Sequence, residues 1–143
     1  MSIVKTAPLE KSKVKPLIDS FFRQFETCCN RQTAPTQSEF ENILADNFQI
    51  SSNNKLVGKN RQEYLERIKK FQKNYSQVKI SAPLEEPIIS ENKVVVRYDA
   101  ELVTREQQKN MLVNIMAIAT IDNNLLTSWS QIAHVMGRDE WDS

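Results

Sequence analysis

Arg97 and Asp99 are the first residues in this chain whose types and spacing could do chemistry. They sit two apart in Val94 to Thr104, a segment whose apolar residues alternate with polar ones. Alternation marks a strand, and side chains two apart on a strand share a face. A guanidinium beside a carboxylate can orient a carboxylic acid, or the two can hold the polar end of a ligand. A structural ion pair or a solvated stripe would use the same two residues. His134 is the only histidine and would suit a general base, because imidazole titrates near neutral pH. Alternation sets it, like Tyr98, on the face of Ile132 rather than on that of Trp129 and Gln131. Cys28 and Cys29 are the only cysteines and are adjacent. Neighbours on a helix point about 100° apart, which disfavours a disulfide between them. Two thiols and one imidazole are too few for a zinc centre. No metal and no organic cofactor is expected.

The elements that must position these groups can be read from periodicity. Val14, Leu17, Ile18, Phe21, Phe22, Phe25, Cys28 and Cys29 form one stripe of an amphipathic helix, with Ser12 a plausible cap and Pro16 in the first turn. Thr36-Gln37-Ser38-Glu39 fits a capping box and predicts a short second helix that buries Phe40, Ile43 and Leu44. Phe48, Ile50 and Ser52 then alternate as a strand, Asn53-Asn54 turns, and Leu56-Val57-Gly58 returns. Asn60-Arg61-Gln62-Glu63 starts a third helix that ends near Asn74. Val78 and Ile80 open a strand that Pro83 and Pro87 must bend or confine to an edge. A meander follows: Val94 to Thr104, Met111 to Ile121, and Leu125 to about Met136, with a tight turn at Asn123-Asn124. Trp141, in the tail, could dock. Helices in front and an antiparallel meander behind read as an α+β layer fold.

With 143 residues, 40% hydrophobic and 26% charged, the chain has the size and composition of one globular domain, residues 1–143. The net charge of +1 and the absence of a dense Lys/Arg block argue against a nucleic-acid partner. No apolar run could span a bilayer and no secretory signal is visible, so no membrane partner and a cytoplasmic location are expected.

The meander has two faces. Face one carries Val94, Val96, Tyr98, Ala100 and Leu102. If the Asn123-Asn124 turn pairs Asp122 with Leu125 and the register then runs unbroken, Ile115 lies opposite Ile132. Face one then continues with Val113, Ile115, Ala117, Ala119, Ser130, Ile132 and His134. Face two carries Arg97, Asp99 and Glu101 with Asn114, Met116, Ile118, Trp129 and Gln131. Helices can cover only one face. Covering face one leaves Trp129, Met116 and Ile118 in water. Covering face two leaves a large apolar sheet that must bury against a second copy. Periodicity alone does not choose.

Leu44-Ala45-Asp46-Asn47-Phe48 leading into a strand, Val57-Gly58-Lys59 before a helix, and the long final meander together resemble the nuclear transport factor 2-like superfamily, in particular its SnoaL-like branch, over roughly residues 12 to 136. The resemblance implies a cystatin-like, cone-shaped curved antiparallel sheet wrapped around three N-terminal helices. It also implies a pocket in the cone and a homodimer through the outer sheet face. It favours face two as the pocket side, which would put His134 and Tyr98 on the outer sheet face or in a dimer contact. Arg97-Tyr98-Asp99 looks like the Arg-x-Asp of limonene epoxide hydrolases, and Trp129 is similar to their last-strand Trp. Gln131 stands where their second Asp would be, and Ile50 and Ser52 stand at the water-holding positions. The ketosteroid isomerase base falls at about Ser52 and its oxyanion Asp at about Met116, and neither residue can do that work.

The expected function is a small-molecule pocket for a hydrophobic or partly polar ligand, with chemistry of the isomerase, cyclase or hydrolase kind. Asp99 and Arg97 would be catalytic, and Ser52, Asn114, Met116, Trp129 and Gln131 would line the site. The alternative is a non-catalytic homodimeric module that binds a ligand or a protein.

Overall fold

The computed structural model describes residues 9–136 apart from 82 and 84; Trp141 lies outside the described residues. Helix α1 (Lys11–Cys29) buries Val14, Ile18, Phe21, Phe22, Cys28 and Cys29, the stripe that periodicity predicts. It begins a turn earlier than Pro16 suggests, so Pro16 lies inside it. The ring leaves the Ser12 carbonyl without an intrahelical donor, and this part of the helix is exposed, where water can supply one.

The predicted second helix is a single 3-10 turn, Gln37–Glu39. Glu39 does accept a bond from the Thr36 amide, at 2.9 Å. A helix cannot run on, because Leu44 already begins strand β1 (Leu44–Ser52). Phe40 and Leu44 are fully buried all the same. Strand β2 (Lys55–Gly58) returns antiparallel to β1. Gly58 is required there, since a Cβ would come within 2.9 Å of Ile50 Cγ2. Helix α2 (Arg61–Asn74) starts where the capping signal predicts, with the Glu63 amide donating to Asn60 Oδ1 at 2.9 Å.

Strands β3 (Tyr75–Ile80) and β4 (Ile88–Ser90) both pair with β5 (Lys93–Thr104), as two pieces of one interrupted edge. Strands β6 (Asn110–Asp122) and β7 (Leu125–Met136) complete the meander. The sheet order is β2-β1-β7-β6-β5-β3, curved and unclosed, with β1 and β7 running parallel. The free edge of β3 is covered by α1. The Asn30 amide brackets Val78, accepting from its N–H at 2.8 Å and donating to its carbonyl at 2.7 Å. Glu26 accepts from the Ile80 N–H at 2.8 Å. These bonds satisfy backbone groups that an edge would leave bare, and they fasten the helix across the concave side.

One local feature reverses an expectation. The Asn123-Asn124 turn, with φ of 53° and 62°, does pair Asp122 with Leu125. The register then shifts, so that Ile121 pairs with Leu126 but Thr120 with Ser128. Thr127 is the extra residue. Its hydroxyl donates to the Thr120 carbonyl at 3.3 Å and to Asp122 Oδ2 at 3.2 Å, which holds the bulge. Beyond it, Ile115 pairs with Ala133 and Met116 with Ile132. A one-residue shift turns every later side chain of β7 to the other side. The helices therefore cover face one of β5 and β6, and Trp129 joins that face with an exposure of 1%. Ile132 moves to the outer face with Met116 and Ile118. The apolar face is buried without a second copy.

Two outcomes follow from this architecture. Deleting Thr127 in a Trp141→Phe background would turn Trp129 outward. The expected cost is at least that of truncating a buried tryptophan, about 3–5 kcal/mol, read as a red-shifted fluorescence maximum and a broadened melt. Glu39 is held at about 2, below its ordinary 4.5, chiefly by hydrogen bonds from Arg31 at 2.5 and 2.6 Å. A depressed carboxyl pKa contributes stability above the unfolded-state value and loses it as pH falls through the folded one. The stability gap between wild type and Glu39→Gln, about 1 kcal/mol at neutral pH, should therefore close between pH 4.5 and 2 in urea titrations.

Candidate functional site

A cavity of about 260 Å³ lies between the two helices and the concave face of the sheet. Its size falls just below the about 300–1,000 Å³ usual for small-molecule sites. Helix α1 supplies Phe21, Phe22 and Phe25. Helix α2 supplies Tyr64, Arg67 and Phe71, three and four residues apart and so on one face. The sheet supplies the remaining wall, with Leu102, Val113 and Ile115 among its apolar members. The aromatic groups pack as a continuous cluster. Phe21 lies 4.6 Å from Trp129 and Phe22 4.5 Å from Tyr98, centroid to centroid.

One end of the cavity is polar, and Gln131 organises it. Its Oε1 accepts from Trp129 Nε1 at 3.0 Å and from the Tyr98 hydroxyl at 3.2 Å. Its Nε2 donates to Ser52 Oγ at 3.2 Å. An indole N–H can only donate, so it fixes which way the amide points. The second amide hydrogen and the serine hydroxyl remain available to a guest. Burial pushes the Tyr98 phenol well above its ordinary range. Tyr64 is raised too, mainly by burial, and its buried hydroxyl has no hydrogen-bond partner among the described residues.

Arg67 lines the wall on the α2 side. Its guanidinium carbon lies 5.3 Å from the centroid of Phe71. Burial lowers its pKa, with the surrounding tyrosines acting in the opposite sense. Of these groups, sequence reasoning places only Ser52, Trp129 and Gln131 at the site. Arg67 sits in a charged stretch that reads as a solvated helix face. The signal that could have found it is its spacing from Tyr64 and Phe71, which places it on the apolar stripe.

Ser52, Trp129 and Gln131 line the cavity. Arg97, Asp99, Asn114 and Met116 do not. They lie on the outer face, where Arg97 binds Glu85 at 2.6 Å and Asn114 donates to Asp99 at 2.6 Å. The expectation that all seven share a pocket assumed an unbroken β7 register, and the bulge at Thr127 removes that assumption. Tyr98 is likewise inside rather than outside, at 5% exposure, while His134 is on the outer side. Among the described residues no group of three His, Cys, Asp or Glu could hold a metal ion, and no helix is long and apolar enough to cross a membrane.

No protein-family model matches the sequence, and no curated protein sequence does either. Solved structures do match in three dimensions. AusH from Aspergillus nidulans aligns with a TM-score of 0.69 at 14% identity, over 94% of this chain and 92% of its own. An LEH-like epoxide hydrolase from M. tuberculosis aligns at 0.67 and 7% identity, over 86% and 84%. An NTF2-like protein of unknown function from Cytophaga hutchinsonii aligns at 0.56 and 13%, over 84% and 98%. The chain thus has the nuclear transport factor 2-like fold, as its sequence resemblance implies.

Proposed function

We propose that this protein binds a small, mostly apolar organic molecule inside the cone. The observation that carries the reading is the cavity itself, with aromatic and aliphatic walls and a polar cluster at one end whose internal bonds are already made. Such a site needs no rearrangement to accept a guest. Isomerase, cyclase or hydrolase chemistry needs a group that takes a proton near neutral pH. The described lining offers phenols, a hydroxyl, an amide, an indole and a guanidinium, and burial moves Tyr64 and Tyr98 further from ionising. We therefore favour binding over acid–base turnover. Carriage of 2-naphthamide, a neutral two-ring probe, tests this through quenching of tryptophan fluorescence. Wild type should bind it saturably, and Ala133→Phe, which fills the lining beside Gln131, should weaken binding about tenfold or more without lowering Tm. No saturation at millimolar probe, or equal binding by the filled variant, would overturn the reading.

The second reading concerns the outer face, and exposed apolar residues favour it. Met116, Ile118 and Ile132 are each about half exposed and adjoin across β6 and β7. Arg97 and Asp99 flank them on β5. We propose that this face pairs with a second copy of the chain about a two-fold axis. Charges of both signs on one strand suit such pairing, because a two-fold lays each copy's cation against the other's anion. Sedimentation should show a micromolar dimer for wild type and a monomer for Ile132→Glu. A wild-type monomer under those conditions would reject it.

A further inference from the structure

Arg31, Arg61 and Arg67 are the partly buried arginines among the described residues. Arg31 gives its N–H groups to Glu39, at 2.5 and 2.6 Å. Arg61 donates to Gln37 Oε1 at 2.6 Å and to the Leu44 carbonyl at 3.1 Å. Arg67 has no carboxylate, amide or carbonyl partner among the described residues; its guanidinium lies over the Phe71 ring. An aromatic face offsets part of a cation's charge but leaves the five N–H donors of a guanidinium unfilled. A desolvated, unfilled guanidinium is costly to keep, and its position on a cavity wall gives that cost a use.

The cavity narrows what could fill it. Besides Arg67 its described lining holds no other charged side chain. One cation suits a monoanion and is too little for a phosphate ester. A planar fork of N–H donors matches the two oxygens of a carboxylate. Phe21, Phe25 and Phe71 line the same space, so the rest of the molecule meets ring faces rather than water. Phe25 and Phe71 pack edge to face at 5.3 Å and 80°, in contact with each other, so a flat body would lie against this pair rather than between its rings.

We infer that the guest is a flat, apolar monocarboxylic acid whose carboxylate pairs with Arg67 and whose body lies among Phe21, Phe25 and Phe71. The inference rests on the proposed binding function and adds the chemical class of the ligand. The opposite end of the guest reaches Gln131 and Ser52, so a hydroxyl or carbonyl there would be recognised as well.

The test compares 2-naphthoate with 2-naphthamide, which has the same shape and no charge, against wild type, Arg67→Gln and Arg67→Lys. Wild type should prefer naphthoate by about tenfold or more, the ordinary effect of a charge-assisted pair. Arg67→Gln should bring the two probes to parity by weakening naphthoate alone. Arg67→Lys should keep part of the preference. Melting curves give a readout beyond binding. In the absence of probe, Arg67→Gln should melt at or above the wild-type temperature, since it removes an unfilled charge rather than a bond. If wild type binds both probes equally, or if Arg67→Gln weakens both alike, the inference fails and the binding function stands. If naphthamide does not bind at all, the binding function itself fails. A large fall in Tm for Arg67→Gln would show that the guanidinium is filled within the protein, and would also overturn the inference.

Discussion

The register shift at Thr127 is the constraint on which the rest of this structure depends. A sheet strand offers alternate side chains to alternate faces, so one inserted residue exchanges the two sets. Before the bulge, Leu126 faces inward with Ile121. After it, Trp129 and Gln131 do, beside Ala119 and Ala117. The small alanines matter here. They leave room on β6 for the indole and amide that β7 delivers, and a larger residue at 119 or 117 would crowd Trp129 or Gln131 respectively. The parallel pairing of β1 with β7 then sets Ile50 beside Trp129 and Ser52 beside Gln131. The polar end of the cavity is assembled from three strands by one insertion.

That polar end is neutral, which shapes what it can do. An amide with an indole and a phenol on its oxygen, and a serine on its nitrogen, is close to satisfied inside the protein. A carboxylate at position 131 would need to accept bonds that the serine could still give, but it would bring a charge into an aromatic box. Gln131 avoids the desolvation cost of that charge and gives up the ability to take a proton.

Much of the fold was legible because local signals and tertiary structure agree. The α1 stripe, the Asn60 cap, the asparagine turns and the two-proline break all lie where backbone chemistry demands them. Failures arose where one residue decides a global property. Thr127 carries no sequence mark of a bulge, since threonine is an ordinary strand residue. Its bonds to Thr120 and Asp122 exist only once β6 and β7 are paired. Alternation therefore sorts β5 and β6 correctly and β7 inversely, and it places Arg97 and Asp99 on the face of Trp129, from which the bulge separates them. The 3-10 turn was misread for a related reason. Glu39 caps it as predicted, but it serves Arg31 as well, and that pairing holds a loop rather than a helix.

Arg67 marks the limit of sequence reasoning in the other direction. On α2 it has charged neighbours at Glu66, Lys69 and Lys70, and composition alone assigns all four to water. Helical phase separates them. Tyr64 and Phe71 lie three before and four after Arg67, so the face that buries the tyrosine also carries the guanidinium inward. Its long stem can pack against apolar wall while its head stays in the cavity. A fold that only needed a filler there could place a leucine or methionine on the same stripe and lose no bond. Keeping an arginine, with no oxygen partner among the described residues, raises the energy of the empty cavity relative to the occupied one. A guest that supplied carboxylate oxygens would recover that difference, and the proposed preference for a charged guest would then be set by the protein's own guanidinium rather than by any contact it makes to itself.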